Sequence, residues 1–283
     1  MIYISTGGYS NLTLLDSVNL LLKNGFNNLE LSGCRWSSND IDGIKRLKSG
    51  VVSFQPHNYF PTQEIPFVLN LASLNEKVRE DSLRHCEKAI LLAAELGQKY
   101  YSVHAGFLMD PKVDELGKKI KNRPLSNRDQ AIEMFIKNIK KLMILADKNK
   151  IRLLIENNVL NQNNNEEFPN NPLLMVDPKE CEEIMGSFSQ EVGMLLDVAH
   201  LKVSSNTLKF PKEAVFSICN KYIEGYHLSD NNGLVDENKS FDESSWFWKH
   251  LKPNLNYVSI EVYTTDFILL KNLLKITNQK LVK

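Results

Sequence analysis

The sequence has no surplus of either charge: 34 basic residues balance 34 acidic ones over 283 residues. A chain so balanced casts no long-range field of the kind that gathers a polyanion, which weighs against nucleic acid as a partner. No apolar stretch approaches the roughly 18 residues needed to span a bilayer, so no membrane partner is expected. The first residues run straight into Ile2-Tyr3-Ile4-Ser5 without the charged head, apolar core and small-residue cleavage site of a secretory leader, and the expected location is cytoplasmic. Cysteine is scarce. Cys34, Cys86, Cys181 and Cys219 stand far apart and form no CxxC pair, so neither a zinc knuckle nor a redox dithiol is suggested and buried reduced thiols are expected. Cys34, just past a predicted strand end, is the one placed to face a pocket. A glycine-rich phosphate loop is also missing. The turn after the first apolar run reads Ser5-Thr6-Gly7-Gly8-Tyr9-Ser10, without GxGxxG spacing, and its glycines are read as permitting a tight turn. No internal repeat and no Pro- or Ser-rich linker divides the chain, so residues 1–283 are taken as a single domain.

What is present is an alternation of short strand-like runs with longer helical patterns. Eight runs stand out, at residues 2–5, 28–32, 51–55, 100–104, 152–156, 193–197, 225–229 and 258–262. Amphipathic stretches lie between them, at 14–22, 78–96, 131–146 and 267–276, with apolar residues recurring at three and four. Asn24-Gly25 and Gly97 read as helix stops, and Asp177-Pro178 as a start. Eight βα units with nothing left over predict an α/β fold, a single (β/α)₈ TIM barrel, for which about 250 residues is typical. The one biased segment, residues 157–172, contains Asn161-Gln162-Asn163-Asn164-Asn165 and two prolines. It follows the fifth strand, so in a barrel it is a long loop on the face where active sites lie, either a disordered insertion or a lid over substrate.

In a barrel the residues at the C-terminal ends of strands point to a common mouth. Here His57 follows the third run, His104 ends the fourth, Glu156 the fifth and Asp197 the sixth, while His227 and Glu261 lie near the ends of the seventh and eighth. Taken singly, such a carboxylate is as well explained as a helix cap, and such a histidine as a hydrogen-bonded structural residue. Taken together they are hard to explain by capping, since several carboxylates buried around one axis need a cation to offset their charge. His200 closely follows Asp197, and Glu30, near the end of the second run, reaches the mouth or pairs in a salt bridge. The other two of the six histidines, His85 and His250, fall in predicted helical or polar stretches and are read as structural or solvated. Trp246 and Trp248 are read as packing residues.

On Asp197-Val198-Ala199-His200, His227-Leu228-Ser229-Asp230 and the Glu156 and Glu261 strand ends, residues 2–265 resemble the xylose isomerase-like TIM-barrel superfamily. That group holds sugar isomerases, ketose 3-epimerases, hydroxypyruvate isomerases, inosose dehydratases and endonuclease IV. The resemblance implies Glu156, Asp197, His227 and Glu261 as ligands of a divalent metal, with Mn²⁺ favoured and Mg²⁺, Co²⁺ or Zn²⁺ also suited to such donors. It implies Glu156 and Glu261 as the catalytic pair that exchanges a proton at a metal-held enediolate. His57, His104, His200, Glu30 and Asn158 are assigned to substrate binding.

The leading expectation is therefore a metal-dependent isomerase or epimerase of a small sugar, sugar phosphate or related hydroxy-carbonyl compound. A metal-dependent hydrolase of the endonuclease IV type is the alternative, because Pro56-His57-Asn58 and Val103-His104-Ala105-Gly106 resemble that branch's extra zinc-binding strand ends. Its Asp-x-His pair is matched here only by Asp236-Glu237-Asn238, and asparagine is an uncommon zinc ligand. The epimerase pattern has gaps as well, since no arginine follows His227 and no Pro-Gly-Glu-Gly-like turn comes later. A barrel that only binds sugar or metal is the third reading, and a homo-oligomer is left open.

Overall fold

Each of the eight apolar runs becomes a parallel strand in the computed structural model, which describes residues 1–282. The strands are β1 (Ile2–Ser5), β2 (Asn28–Leu31), β3 (Ser53–Pro56), β4 (Tyr100–His104), β5 (Arg152–Glu156), β6 (Gly193–Asp197), β7 (Ile223–Leu228) and β8 (Tyr257–Ile260). Their order, β3-β2-β1-β8-β7-β6-β5-β4, pairs every strand with its sequence neighbours except β3 with β4 and joins the last to the first, so the sheet curls into a (β/α)₈ barrel. Closure between β3 and β4 rests on a single parallel bridge, His57 to Ser102. Side chains stitch this seam where the ladder is missing: Gln55 Nε2 donates to the Tyr100 carbonyl (2.6 Å), Gln98 Nε2 to Ser53 Oγ (2.8 Å), and His57 Nδ1 is hydrogen-bonded to Ser102 Oγ (2.8 Å).

Nine α-helices occur among the described residues: α1 (Leu14–Lys23), α2 (Asp40–Leu47), α3 (Glu76–Glu95), α4 (Arg128–Lys148), α5 (Gln162–Glu167), α6 (Pro178–Gly186), α7 (Val198–Leu208), α8 (Ala214–Ile218) and α9 (Phe267–Leu281). Their starts are set locally. Thr13, Asn75, Asn127, Asp177 and Asp266 each accept backbone N–H bonds at an N-terminus, worth about 1 kcal/mol apiece. Gly25 and Gly97 adopt φ of 88° and 73°, the left-handed geometry of a helix stop. No described helix is long and apolar enough to cross a membrane.

The barrel interior is layered by the two-residue period of the strands. Tyr3, Leu154, Leu195 and Tyr257 form a separate buried apolar cluster with Tyr100 against it, and Tyr3 meets Tyr257 edge to face at 5.8 Å. Gly225 lets this layer close, because a Cβ there would lie 2.9 Å from Leu195 Cδ1 and 3.0 Å from the Tyr257 carbonyl. Two residues further along the same strands the interior turns polar: Leu154 gives way to Glu156, Leu195 to Asp197, Gly225 to His227, and Tyr257 to Ser259 and then Glu261.

Two long connections cover the mouth, residues 105–127 after β4 and 157–177 after β5. The Asn-rich segment is ordered rather than a loose insertion. It builds α5, with Asn161 capping it, and Asn164 reaches the other loop, accepting from Ile120 N (2.9 Å) and donating to the Lys118 carbonyl (3.2 Å). Asn122 Nδ2 donates to the Glu167 carbonyl (2.7 Å), Lys119 pairs with Glu167 (2.5 Å), and Met109, Ile120 and Phe168 form a small apolar cluster between the loops.

His85, on α3, is structural as its helical position predicts. Its Nε2–H donates to the Asn58 carbonyl (2.9 Å), which Tyr101 Oη also meets at 2.9 Å, and Gln63 Nε2 lies 3.3 Å from Nδ1. These bonds secure Asn58 at φ 42°, directly after His57. Burial, with a smaller push from Lys88, lowers the His85 pKa to about 4. The folded-state value lies below that of the unfolded chain, so the stabilisation is complete above about pH 6.5 and is lost as pH falls toward 4. Wild-type protein is expected to lose about 3 kcal/mol through this window from His85 alone. Urea unfolding at pH 7 and pH 4.5 should therefore show a steeper decline for wild type than for His85→Gln, and equal declines would refute the assignment.

Candidate metal centre and active site

Glu156, Asp197, His227 and Glu261 converge: one donor atom from each lies within 4.8 Å of the others. Glu156, Asp197 and His227 are fully buried, and Glu261 is 9% exposed. His227 Nδ1 lies 3.2 Å from Glu156 Oε1, 3.1 Å from Glu261 Oε2 and 3.9 Å from Asp197 Oδ2. Asp197 divides its two oxygens. Oδ1 caps α7, accepting from Ala199 N and His200 N at 2.7 Å each, which turns Oδ2 toward the cluster. Asn157 clamps the same residue from both sides, accepting from Asp197 N (2.9 Å) and donating to its carbonyl (3.1 Å).

Three more histidines close around Glu156. His57 Nε2 and His104 Nε2 stand 3.4 and 3.5 Å from Oε2, whereas His200 Nδ1 is 3.6 Å from Oε1. The two oxygens of one carboxylate thus face two donor sets, His57 with His104 and His227 with its carboxylate partners. His200 donates from Nδ1 to the Asn157 carbonyl (2.9 Å), and its Nε2 lies 3.3 Å from Asp236.

The donor set could hold a cation. Both oxygens of Glu156, Oδ2 of Asp197 and Nδ1 of His227 are buried without a well-aligned hydrogen bond, and a buried ionic group left so costs several kcal/mol. Burial lifts the Asp197 carboxyl to about 7, with Asp236 and Glu156 adding to the rise against the opposing histidines. Burial would also raise Glu156, but His104, His227 and His57 hold it well below the usual carboxylate range. Burial, aided by the neighbouring imidazoles, lowers His104 to about 4 against the pull of Glu156, keeping its ring neutral as a ligand must be. Three carboxylates and an imidazole, with orphaned atoms turned inward, fit a divalent ion of the Mn²⁺, Mg²⁺, Co²⁺ or Zn²⁺ kind.

The cluster opens on a cavity of about 490 Å³ whose lining includes Tyr59, His104, His200, Asp236, Glu261 and Tyr263. Its walls are completed by the two laced loops, through Leu116, Lys118, Val159 and Asn164 among others. Of the residues assigned to substrate from the sequence, His104 and His200 reach this cavity, and His57 lies beneath it in the cluster. Asn158 lies at its edge with its amide otherwise engaged, donating to the carbonyls of Ala105 (2.8 Å), Gly106 (3.1 Å) and Leu174 (2.9 Å). Glu30 lies deeper, fully buried and 3.0 Å from His227 Nε2.

Sequence reasoning did not single out Asn157 or Tyr263. Tyr263 Oη donates to Glu261 Oε1 (3.2 Å), and Gly7 makes room for it, since a Cβ there would lie 2.7 Å from that oxygen. The Ser5-Thr6-Gly7-Gly8 segment thus serves close approach as well as a turn. The remaining residues behave as expected of packing. Trp246 and His250 pack against Phe216, Trp248 against Phe241 and Phe247, and Cys86, Cys181 and Cys219 are buried free thiols. Cys34 is half-buried, 3.2 Å from Thr62 Oγ1, and is not part of the cavity lining.

No curated protein matches the chain. Among solved structures it is similar to a D-tagatose 3-epimerase-like protein, with 22% identity over 99% of this chain and 98% of that one and a TM-score of 0.65. An L-ribulose 3-epimerase is 14% identical over 99% and 94% of the two chains, with a TM-score of 0.66. A Thermus thermophilus protein, TTHB071, soaked with ZnCl2, is 18% identical over 98% of each chain, with a TM-score of 0.63. At such identities these likenesses speak for the fold. The family model described as the xylose isomerase-like TIM barrel matches residues 18–261, which run from within α1 to just past β8. The chain belongs to the xylose isomerase-like TIM barrel family.

Proposed function

We propose that the protein is a metal-dependent isomerase or epimerase of a small sugar or related hydroxy-carbonyl compound. One observation carries this reading: Glu156 Oε1 and Glu261 Oε2 stand 3.2 and 3.1 Å from the same His227 Nδ1, two carboxylates facing one point beneath a cavity of small-molecule size. A divalent ion held by Glu156, Asp197, His227 and Glu261, with Mn²⁺ the favoured choice, supplies Lewis-acid polarisation that acidifies a C–H beside a carbonyl. Glu156, kept ionised by its histidines, accepts the proton or returns it, and Glu261, at the cavity floor, does the converse from its own side. His200, anchored to the Asn157 carbonyl, presents Nε2 toward substrate hydroxyls. Two of the similar structures are described as a 3-epimerase and a 3-epimerase-like protein, which agrees with this chemistry.

A second reading has its own observation. The two oxygens of Glu156 face two donor sets, and His57, His104 and Glu156 bring one donor atom each within 4.8 Å, an arrangement suited to a carboxylate shared by two metals in a hydrolase. Asn238, in place of a histidine ligand, and a cavity of small-molecule size favour the isomerase.

In heavy water, protein loaded with Mn²⁺ and screened against ketoses and ketose phosphates should incorporate deuterium at a carbon next to a carbonyl. Glu156→Gln and Glu261→Gln should each slow that exchange by about 10²- to 10⁴-fold. Unchanged exchange in both variants would sink the two-carboxylate mechanism. Metal analysis of the purified protein separates the two readings. One ion per chain, retained in His57→Ala and His104→Ala, is expected; two or three ions, with one lost in those variants, would transfer the assignment to the hydrolase.

A further inference from the structure

We infer that Glu30 is a positioning residue that fixes the ring orientation and tautomer of His227 so that Nδ1 presents its lone pair to the metal centre. The inference rests on the metal-centre reading above and assigns Glu30 a task other than substrate binding. Glu30 stands on β2, three strands round the barrel from β7, and is fully buried. Its carboxylate is saturated from within the protein. Ser259 Oγ donates to Oε1 at 2.9 Å, while Tyr257 Oη and His227 Nε2 (3.0 Å) both donate to Oε2. Tyr257 and Ser259 lie two residues apart on β8, on the inward face, and Ser259 is the register partner of His227. Two strands therefore hold the carboxylate against the imidazole of a third.

The chemistry follows from donor counting. A neutral imidazole carries one N–H, and an ionised carboxylate only accepts. With Glu30 at Nε2, the proton belongs on that nitrogen. The opposite tautomer would set an imidazole lone pair against a carboxylate oxygen in a site without water to relieve the repulsion. With an ion bound, Nδ1 would then offer its lone pair beside Glu156 and Glu261, 3.2 and 3.1 Å away among the residues that would hold the ion. The same contact raises the basicity of the ligating nitrogen. Glu30 also shares a donor group with His57 and His227. His57, however, is bonded through Nδ1 to Ser102 and faces Glu156 through Nε2, and every bond Glu30 accepts would have to break before it ligated an ion. The geometry makes Glu30 the outer partner of a metal ligand rather than a ligand.

The test is Zn²⁺ and Mn²⁺ affinity of the full chain, by calorimetry, in wild type and Glu30→Gln, which keeps the shape and removes the charge. The expected result is an affinity about 10- to 100-fold lower, with a shifted ¹⁵N resonance for the His227 Nε2–H in the Zn²⁺-loaded protein and an unchanged far-ultraviolet dichroism spectrum. Wild-type affinity together with an unchanged His227 resonance would overturn the inference while leaving the metal centre intact. Absence of any ion uptake by wild type would overturn the metal-centre reading and the inference with it. Should Glu30→Gln not fold, Ser259→Ala and Tyr257→Phe each remove one hydrogen bond that locks Glu30. A smaller loss of affinity in the same direction is then expected from both, and wild-type affinity in both would overturn the inference.

Discussion

Glu156 is a carboxylate with no access to water and no well-aligned hydrogen bond to either oxygen. Desolvating an ionised carboxyl carries an effective penalty of several kcal/mol, and the site is organised around offsetting it. His57, His104, His200 and His227 each bring a ring nitrogen to within 3.6 Å of it, from the ends of β3, β4 and β7 and the first turn of α7. Those rings must in turn be held. Ser102 takes His57, the Asn157 carbonyl takes His200, and Glu30 takes His227. One buried charge thus dictates the identity of a residue on nearly every strand, and a divalent ion is the natural completion of what the imidazoles begin.

Much of this arrangement was legible in the sequence because barrel geometry converts strand position into spatial convergence. The eight runs became the eight strands with ends shifted by a few residues, most clearly at β3, which starts at Ser53, and β7, which starts at Ile223. The two-residue period then placed Glu156 above Leu154 and Asp197 above Leu195 on one inner face, so the ionisable residues were bound to share a mouth. What stayed hidden depends on contacts between residues far apart in the chain. Nothing in Asn161-Gln162-Asn163-Asn164-Asn165 announces that Asn164 will bond to the backbone at Lys118 and Ile120. Glu30 looked like a residue of the mouth because its strand position is right. Its depth was settled by Tyr257, Ser259 and His227, which are more than 190 residues away.

The shared carboxylate is also where the two functional readings part. A single ion needs only the Oε1 side of Glu156, with Asp197, His227 and Glu261, and leaves the His57 and His104 rings facing Oε2. In that case the two histidines keep the carboxylate ionised and thereby set its strength as a base, a role tied to proton transfer. If they ligate a second ion instead, Glu156 becomes a bridge whose lone pairs are committed, and a bridging carboxylate is a poor proton acceptor. The laced loops bear on the same choice. They line a cavity whose volume suits a small molecule.

Asp197 shows why the capping and ligand explanations of a strand-end carboxylate were never true alternatives. A cap uses one oxygen and a ligand needs one, and Asp197 supplies Oδ1 to the first turn of α7 and Oδ2 to the cluster. Because the capping bonds come from Ala199 N and His200 N, the rotamer of Asp197 is set by the backbone of a helix whose first turn also carries His200. Asn157, directly after Glu156, fastens the same point by bonding to the Asp197 backbone on both sides and to the His200 ring. Two carboxylates of the buried cluster and a cavity-facing histidine are thereby locked to one another through backbone. Their mutual geometry follows from how β5, β6 and α7 fold, and the site is preorganised before any ion arrives.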